Sequence, residues 1–151
     1  MSELQLRRRI LGIDLGRARI GVAVSDELGM LAHPVETIPA NTDVARRIAE
    51  LVRDKNAERV IVGLPRHMNG SAGIGATEAL AFAKKLQTLV PCDVVTWDER
   101  LTTTAANRAL RESGRKMRDS RGVVDQVAAQ MILQSYLDSL PPSGIPKPSQ
   151  S

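Results

Sequence analysis

A carboxylate inside an apolar strand constrains this chain more than any other feature. The run Ile10-Leu11-Gly12-Ile13-Asp14-Leu15-Gly16 reads as a buried strand ended by a turn, and Asp14 stands within it. An ionised carboxylate taken out of water costs several kcal/mol unless a partner compensates it. No cation precedes Asp14 in the run, and the next basic residue is Arg17, beyond the glycine. The carboxylate must therefore meet a buried cation from elsewhere in the chain or help to hold a metal ion. Glu99 and Asp125 also stand beside apolar stretches, one after a short strand and one on a helix of small residues. Three such acids on three separate elements suggest a site for divalent cations.

The order of elements narrows the fold. Residues 9–15 and 19–25 read as two strands joined by a tight turn, and a third strand follows over about 30–38. Pro34 places that third strand at a sheet edge, because proline has no N–H to give to a ladder. Val44, Ile48, Leu51 and Val52 recur at helical spacing and predict a helix over 42–55, with Asn41 or Thr42 as its N-cap. Val60-Ile61-Val62-Gly63-Leu64 is wholly apolar, as expected of a central parallel strand. A Gly- and Pro-containing loop over 63–75 leads to a helix over 75–90, whose Ala79, Phe82, Ala83 and Leu86 share a face. Val94-Val95-Thr96-Trp97 is the last strand. A helix over about 102–112 ends at Gly114, a basic loop covers 115–121, and a final helix covers 122–140. Three antiparallel strands followed by parallel strands with crossover helices predict an α/β, RNase H-like fold with a five-stranded mixed sheet. Residues 1–8 and 141–151 are expected to be tails around a single domain spanning 9–140.

Composition excludes several alternatives. A chain of 151 residues is long enough for one α/β domain and too short for two. That argues against an actin-like or sugar-kinase ATPase, which needs two such domains around its nucleotide, although Asp14-Leu15-Gly16 resembles the first phosphate loop of those enzymes. A net charge of +4 favours a polyanionic partner such as nucleic acid. One Trp, one Tyr and one Phe are few for a protein that stacks successive bases, so backbone and shape should dominate the grip. The single cysteine, Cys92, rules out an intrachain disulfide. Arg7-Arg8-Arg9 imitates the start of a signal peptide, but Gly12 and Asp14 interrupt the apolar run that follows. No stretch approaches the roughly 20 apolar residues of a membrane span, so a cytoplasmic protein with no membrane partner is expected.

Four segments together carry a resemblance. They are Gly12-Ile13-Asp14-Leu15-Gly16 with Arg19-Ile20-Gly21-Val22-Ala23; Gly63-Leu64-Pro65 with Met68-Asn69-Gly70; Asp98-Glu99-Arg100-Leu101-Thr102-Thr103; and Val124-Asp125-Gln126-Val127-Ala128-Ala129. In this order and spacing they resemble the YqgF/RuvX family of RNase H-like proteins, described as pre-16S rRNA nucleases and as Holliday-junction-resolvase-like proteins. The similarity runs from Gly12 to about Leu140, with Arg66-His67 departing from the apolar residue and Asn common in that family. The resemblance implies that Asp14, Glu99 and Asp125 are the catalytic and metal-binding trio of a two-metal site for Mg²⁺ or Mn²⁺. It also decides for Glu99 over Asp98, since strand alternation sends these two to opposite faces without saying which face holds the metals. The implied activity is endonucleolytic cleavage of structured nucleic acid, in maturation of the pre-16S rRNA 5′ end or on four-way DNA junctions. The second task calls for a two-fold dimer.

Plainer readings stand beside these. Asp14 fits a buried ion pair with Arg19 or Arg100, Glu99 a solvated strand end, and Asp125 a carboxylate favoured by a helix N-terminus. Gly63, Gly70, Gly73 and Gly75 allow close backbone approach to phosphates, or simply make a flexible connector. Arg115, Lys116, Arg118 and Arg121, opposed only by Asp119, form a phosphate grip directly before Asp125 or a solvated charge run. Arg17, Arg19, Pro65, Asn69 and Arg100, in or beside the four segments, complete the expected nucleic-acid interface. His33 and His67 lack metal-ligand spacing, and one cysteine gives no zinc site. A non-catalytic RNase H-like binding module is the remaining alternative, but such a module has no reason to keep three acids against a phosphate backbone.

Overall fold

The computed structural model describes residues 9–65, 75–99 and 121–140. Five strands, β1 (Arg9–Leu15), β2 (Arg19–Ser25), β3 (Ala32–Pro39), β4 (Ala57–Leu64) and β5 (Asp93–Asp98), form one sheet in the order β3-β2-β1-β4-β5. The first three pair antiparallel, and β4 pairs parallel with β1 and with β5. This is the expected five-stranded mixed sheet of an RNase H-like fold. β3 lies at the edge, and its register with β2 shifts between Val22 and Ala23, opposite Glu36 and Pro34. The proline therefore stands at a bulge on an edge strand, where its missing N–H costs least.

Alternation along β1 divides the interior into two cores. Leu11 and Ile13 face one side and pack with Ile48, Leu51 and Val52 of α1 (Val44–Lys55) and with Ala83 and Leu86 of α2 (Ala76–Gln87). Ile10 faces the other side and packs with Ala129, Ile132, Leu133, Tyr136 and Leu137 of α3 (Arg121–Asp138). Those five α3 residues fall at helical spacing and form the buried stripe of the helix. Gly12, also on the α3 side, lets the helix lie directly on the sheet. A Cβ there would stand 2.6 Å from Leu133 Cβ and 3.2 Å from the Ala129 carbonyl oxygen.

Helix α1 is capped by Asp43, not by Asn41 or Thr42. Asp43 Oδ1 accepts from the Arg46 N–H at 3.3 Å, while the Thr42 hydroxyl turns back to donate to the Pro39 carbonyl at 2.7 Å. Both neighbours are good cap residues by type, and the turn after β3 takes Thr42 for its own hydrogen bond. Asn56 ends the helix in the left-handed conformation, at φ 54°. β4 begins three residues before its apolar run, because pairing with β1 extends from Arg9 opposite Ala57. The expected helix over 102–112, the Gly114 cap, the basic loop up to residue 120 and the two tails lie outside the described residues. Among the described residues no helix is long and apolar enough to cross a membrane.

Candidate active site

β1 and β4 run parallel and side by side, so their C-terminal ends open at the same end of the sheet. Asp14, half-buried near the end of β1, pairs with Gly21 on β2. On its other side, the register that sets Ile13 opposite Val62 brings Gly63 to the same level. Asp14 thus lies between two residues without side chains, on the sheet face that carries Ile10, Gly12 and helix α3.

Glu99 reaches the same place from β5. Trp97 faces α3: its ring meets Tyr136 edge-on at 5.2 Å, and its indole N–H donates to Ser135 Oγ at 3.1 Å. Asp98 follows it, level with Leu64, and alternation turns it to the opposite face. Glu99 comes back to the α3 face, and its Oε2 lies 3.5 Å from where a Cβ on Gly63 would be. Ile132 of α3 presses into the same gap from above. The structure therefore separates the two acids that periodicity leaves ambiguous. Burial, and secondarily the charge of Asp98, push the Glu99 carboxyl above its usual range. A carboxyl that resists ionising in this setting gains from a nearby cation.

The third acid is placed by its helix. Gln126 Nε2 donates to Thr37 Oγ1 at 3.0 Å, and Thr37 pairs with Gly21, which pairs with Asp14. One row across the sheet thus ties the first turns of α3, and with them the backbone of Asp125, to the level of Asp14. Gln130 Nε2 donates to the Ala32 carbonyl at 2.9 Å, and Gln134 bonds both Ala32 N and the Met30 carbonyl at 2.9 Å. These glutamines, one turn apart, fix how far α3 slides along β3. The side chain of Asp125 lies outside the described residues, and among those described no three metal-ligating side chains gather.

Of the other expected site residues, Arg17 is exposed in the β1–β2 turn. Arg19, half-buried at the start of β2, shares the α3 face with Gly21. Gly63 is buried within β4 beneath Ile132 and Glu99, so it serves as floor for an acid. Pro65 follows that strand directly. Asn69, Gly70, Arg100, Arg115, Lys116 and Arg118 lie outside the described residues; Arg121 begins α3. Sequence reasoning missed Gly21 as a flank of Asp14, and Thr37 and Gln126 as the pin that sets the level of α3. Glycine in a strand interior was the available signal for the first; a helix glutamine reaching an edge-strand hydroxyl leaves none. Oxygen donors from carboxylates match hard divalent cations such as Mg²⁺, and His33 is exposed on β3, away from them.

Comparison with known proteins bears on the family and the fold. Residues 8–139 match the family described as RuvX, Holliday junction resolvase. A Nocardia farcinica protein named "Putative pre-16S rRNA nuclease" is 52% identical over 141 residues, covering 87% of this chain and 78% of the relative. Proteins of the same name from Acetivibrio thermocellus and Bacillus cereus are 47% and 44% identical, covering 87% of this chain and 96% and 98% of the relatives. Among solved structures, T. thermophilus RuvC in complex with a Holliday junction substrate superposes with a TM-score of 0.56 at 14% identity, over 85% of this chain and 92% of that one. The fowlpox virus Holliday junction resolvase gives 0.53 at 13% identity, over 87% and 99%. At such identities these two show the shared fold. The matched span and the identities lead to one conclusion: the chain belongs to the RuvX family.

Proposed function

We propose that this chain is a divalent-metal-dependent endonuclease that hydrolyses phosphodiester bonds in structured nucleic acid, with the 5′ end of pre-16S rRNA as its substrate. One observation carries the reading: Asp14 lies level with Gly63 on the sheet face that Glu99 reaches, its Oε2 3.5 Å from where a Cβ on Gly63 would be, and Gln126 ties the first turns of α3 to that level. Relatives at 43–52% identity bear the rRNA nuclease name, which supports the choice of substrate.

Asp14, Glu99 and Asp125 would hold Mg²⁺ or Mn²⁺. A pair of such ions supplies an activated water and charge for the leaving oxygen. The protein's own part is positional. The sheet would hold Asp14, the helix α3 would present Asp125, and Glu99, half-buried over Gly63, would gain from a cation beside it. Arg17, Arg19, Arg100 and the basic group Arg115, Lys116, Arg118 and Arg121 would grip phosphates to either side, aided by Pro65, Asn69 and Gly70. A single unpaired cysteine and the rRNA substrate fit work in the cytoplasm.

Cleavage of four-way DNA junctions is the second reading, favoured by the description of the matching family. It requires a two-fold dimer, because two symmetric cuts need two sites. A non-catalytic binding module is the third. Side-by-side assays of a precursor rRNA 5′ leader and a four-way junction, with Mg²⁺ or Mn²⁺, separate them. Faster cleavage of the leader is expected. Preference for the junction transfers the assignment to the second reading, and cleavage of neither leaves the binding module.

A further inference from the structure

We propose that a cavity beside the β1–β2 turn is a subsite for one unpaired nucleobase adjacent to the scissile phosphate. The proposal rests on the nuclease reading and specifies how its substrate strand is held. The cavity, of about 590 Å³, opens at the C-terminal end of the sheet, on the side of α1 and α2. Leu15, Ile20, Val44 and Phe82 give it an apolar wall. Its volume lies within the range of roughly 300–1,000 Å³ typical of pockets that take small organic groups.

Position argues for the occupant. Leu15 directly follows Asp14, and consecutive side chains of a strand point to opposite faces. Asp14 therefore serves the α3 face while Leu15 lines the cavity, with about 3.8 Å between their Cα atoms. A strand crossing the sheet end over Gly16 and Arg17 passes from the acidic site to the cavity mouth, which brings a neighbouring base to it.

Chemistry narrows the occupant further. The chain has three aromatic residues, and two of them, Trp97 and Tyr136, pack against each other under α3. Phe82 lines this cavity, where its ring offers a stacking surface for any base. Arg17 and Lys85 stand at the same cavity and suit the phosphates flanking the base. The acids Asp43 and Glu78 are engaged with helix N-termini: Asp43 accepts from Arg46 N at 3.3 Å and Glu78 from Gly75 N at 3.0 Å. They add acceptors for an exocyclic amino group without opposing the strand as bare charges. A base held in a duplex cannot enter. The substrate must therefore present an unpaired nucleotide beside the cut, as a single-stranded leader does.

The test places 2-aminopurine at each position flanking the mapped cleavage site and reads its fluorescence on binding to the full-length Asp14→Asn protein. Quenching is expected at one adjacent position only and should disappear in Asp14→Asn combined with Phe82→Leu, which keeps the apolar volume. In active protein, Phe82→Leu and Lys85→Ala should each raise KM about tenfold for a substrate with an unpaired nucleotide, with kcat unchanged. Cleavage by the wild type with neither quenching nor a KM effect overturns the subsite and leaves the nuclease reading standing. Equal quenching by the free 2-aminopurine nucleoside would make the cavity a small-molecule pocket and also overturns the proposal. Absence of cleavage in the wild type removes the nuclease reading, and the subsite with it.

Discussion

Gly21 and Gly63 flank Asp14 on the two neighbouring strands, and Glu99 and Ile132 reach the space over Gly63. Asp14→Asn should abolish cleavage and leave the fold intact or stabilised, because it removes a ligand and a repulsive charge together. Glu99→Gln and Asp125→Asn should behave alike, whereas Asp98→Asn, facing away, should keep full activity. Near-normal activity with Mg²⁺ in any of the first three would remove that residue from the site. The strand glycines differ from one another in a measurable way. Gly12→Ala puts a methyl against Leu133 Cβ and a helix carbonyl, neither of which can swing aside, and should destabilise by about 1–3 kcal/mol. At Gly63 the close contact is the mobile end of Ile132, 2.7 Å away, so Gly63→Ala should cost less stability while crowding Glu99. Urea unfolding of the two variants checks the order, and equal losses would contradict it.

At the scale of elements, the sheet was largely legible in the sequence. β1 and β2 fall at their expected residues because apolar alternation and the Gly16 turn bound them, and Pro34 correctly put β3 at the edge. The start of β4 was not legible, since Glu58 and Arg59 are charged and the segment becomes strand through pairing with β1 and, at Arg59, with β5. The cap of α1 was missed for a similar reason: Asp43 and Thr42 are both suitable, and only the turn decides between them. Helix α1 is held to β3 by Arg47, which donates to Glu36 at 2.8 and 2.9 Å and to Glu50 at 2.9 Å. The Arg47 hydrogen bond lowers the Glu36 carboxyl from its ordinary value near 4.5. A depressed carboxyl contributes stability above the ordinary value and loses it as pH falls through the lower, folded one. The stability difference between wild type and Glu36→Gln should therefore hold above pH 4.5 and shrink below it, as thermal unfolding at several pH values would show. A difference that grows on acidification would contradict the pairing. For the basic segment, replacing Arg115, Lys116 and Arg118 with Ala should weaken nucleic-acid binding across sequences and flatten its salt dependence by roughly one unit of slope per lost phosphate contact. Unchanged affinity and slope would make the segment a solvated loop.

On the scale of the whole molecule, Asp14 and Glu99, far apart in sequence, come to one face because a mixed sheet brings β1, β4 and β5 side by side, and α3, the helix that carries Asp125, lies across that face. Each of the three acids stands beside an apolar stretch in the sequence, which is the signal that singles it out. Which of Asp98 and Glu99 belongs with Asp14 was not legible, because alternation fixes only that they differ, and the packing of Trp97 on α3 supplies the missing sign. Net charge +4 favours a polyanionic partner, yet three carboxylates gathered without metal would repel phosphate. Two divalent ions would change the trio from about −3 to about +1, turning a charge that repels phosphate into one that attracts it. Metal and substrate must then bind together. The most direct measurement is the affinity for a cleavage-resistant substrate at fixed ionic strength, with and without Mg²⁺, in the wild type and in Asp14→Asn. Tighter binding with Mg²⁺ in the wild type, reduced or absent in Asp14→Asn, is the result predicted; equal affinity in both conditions would contradict the metal-dependent nuclease and favour a non-catalytic binding module.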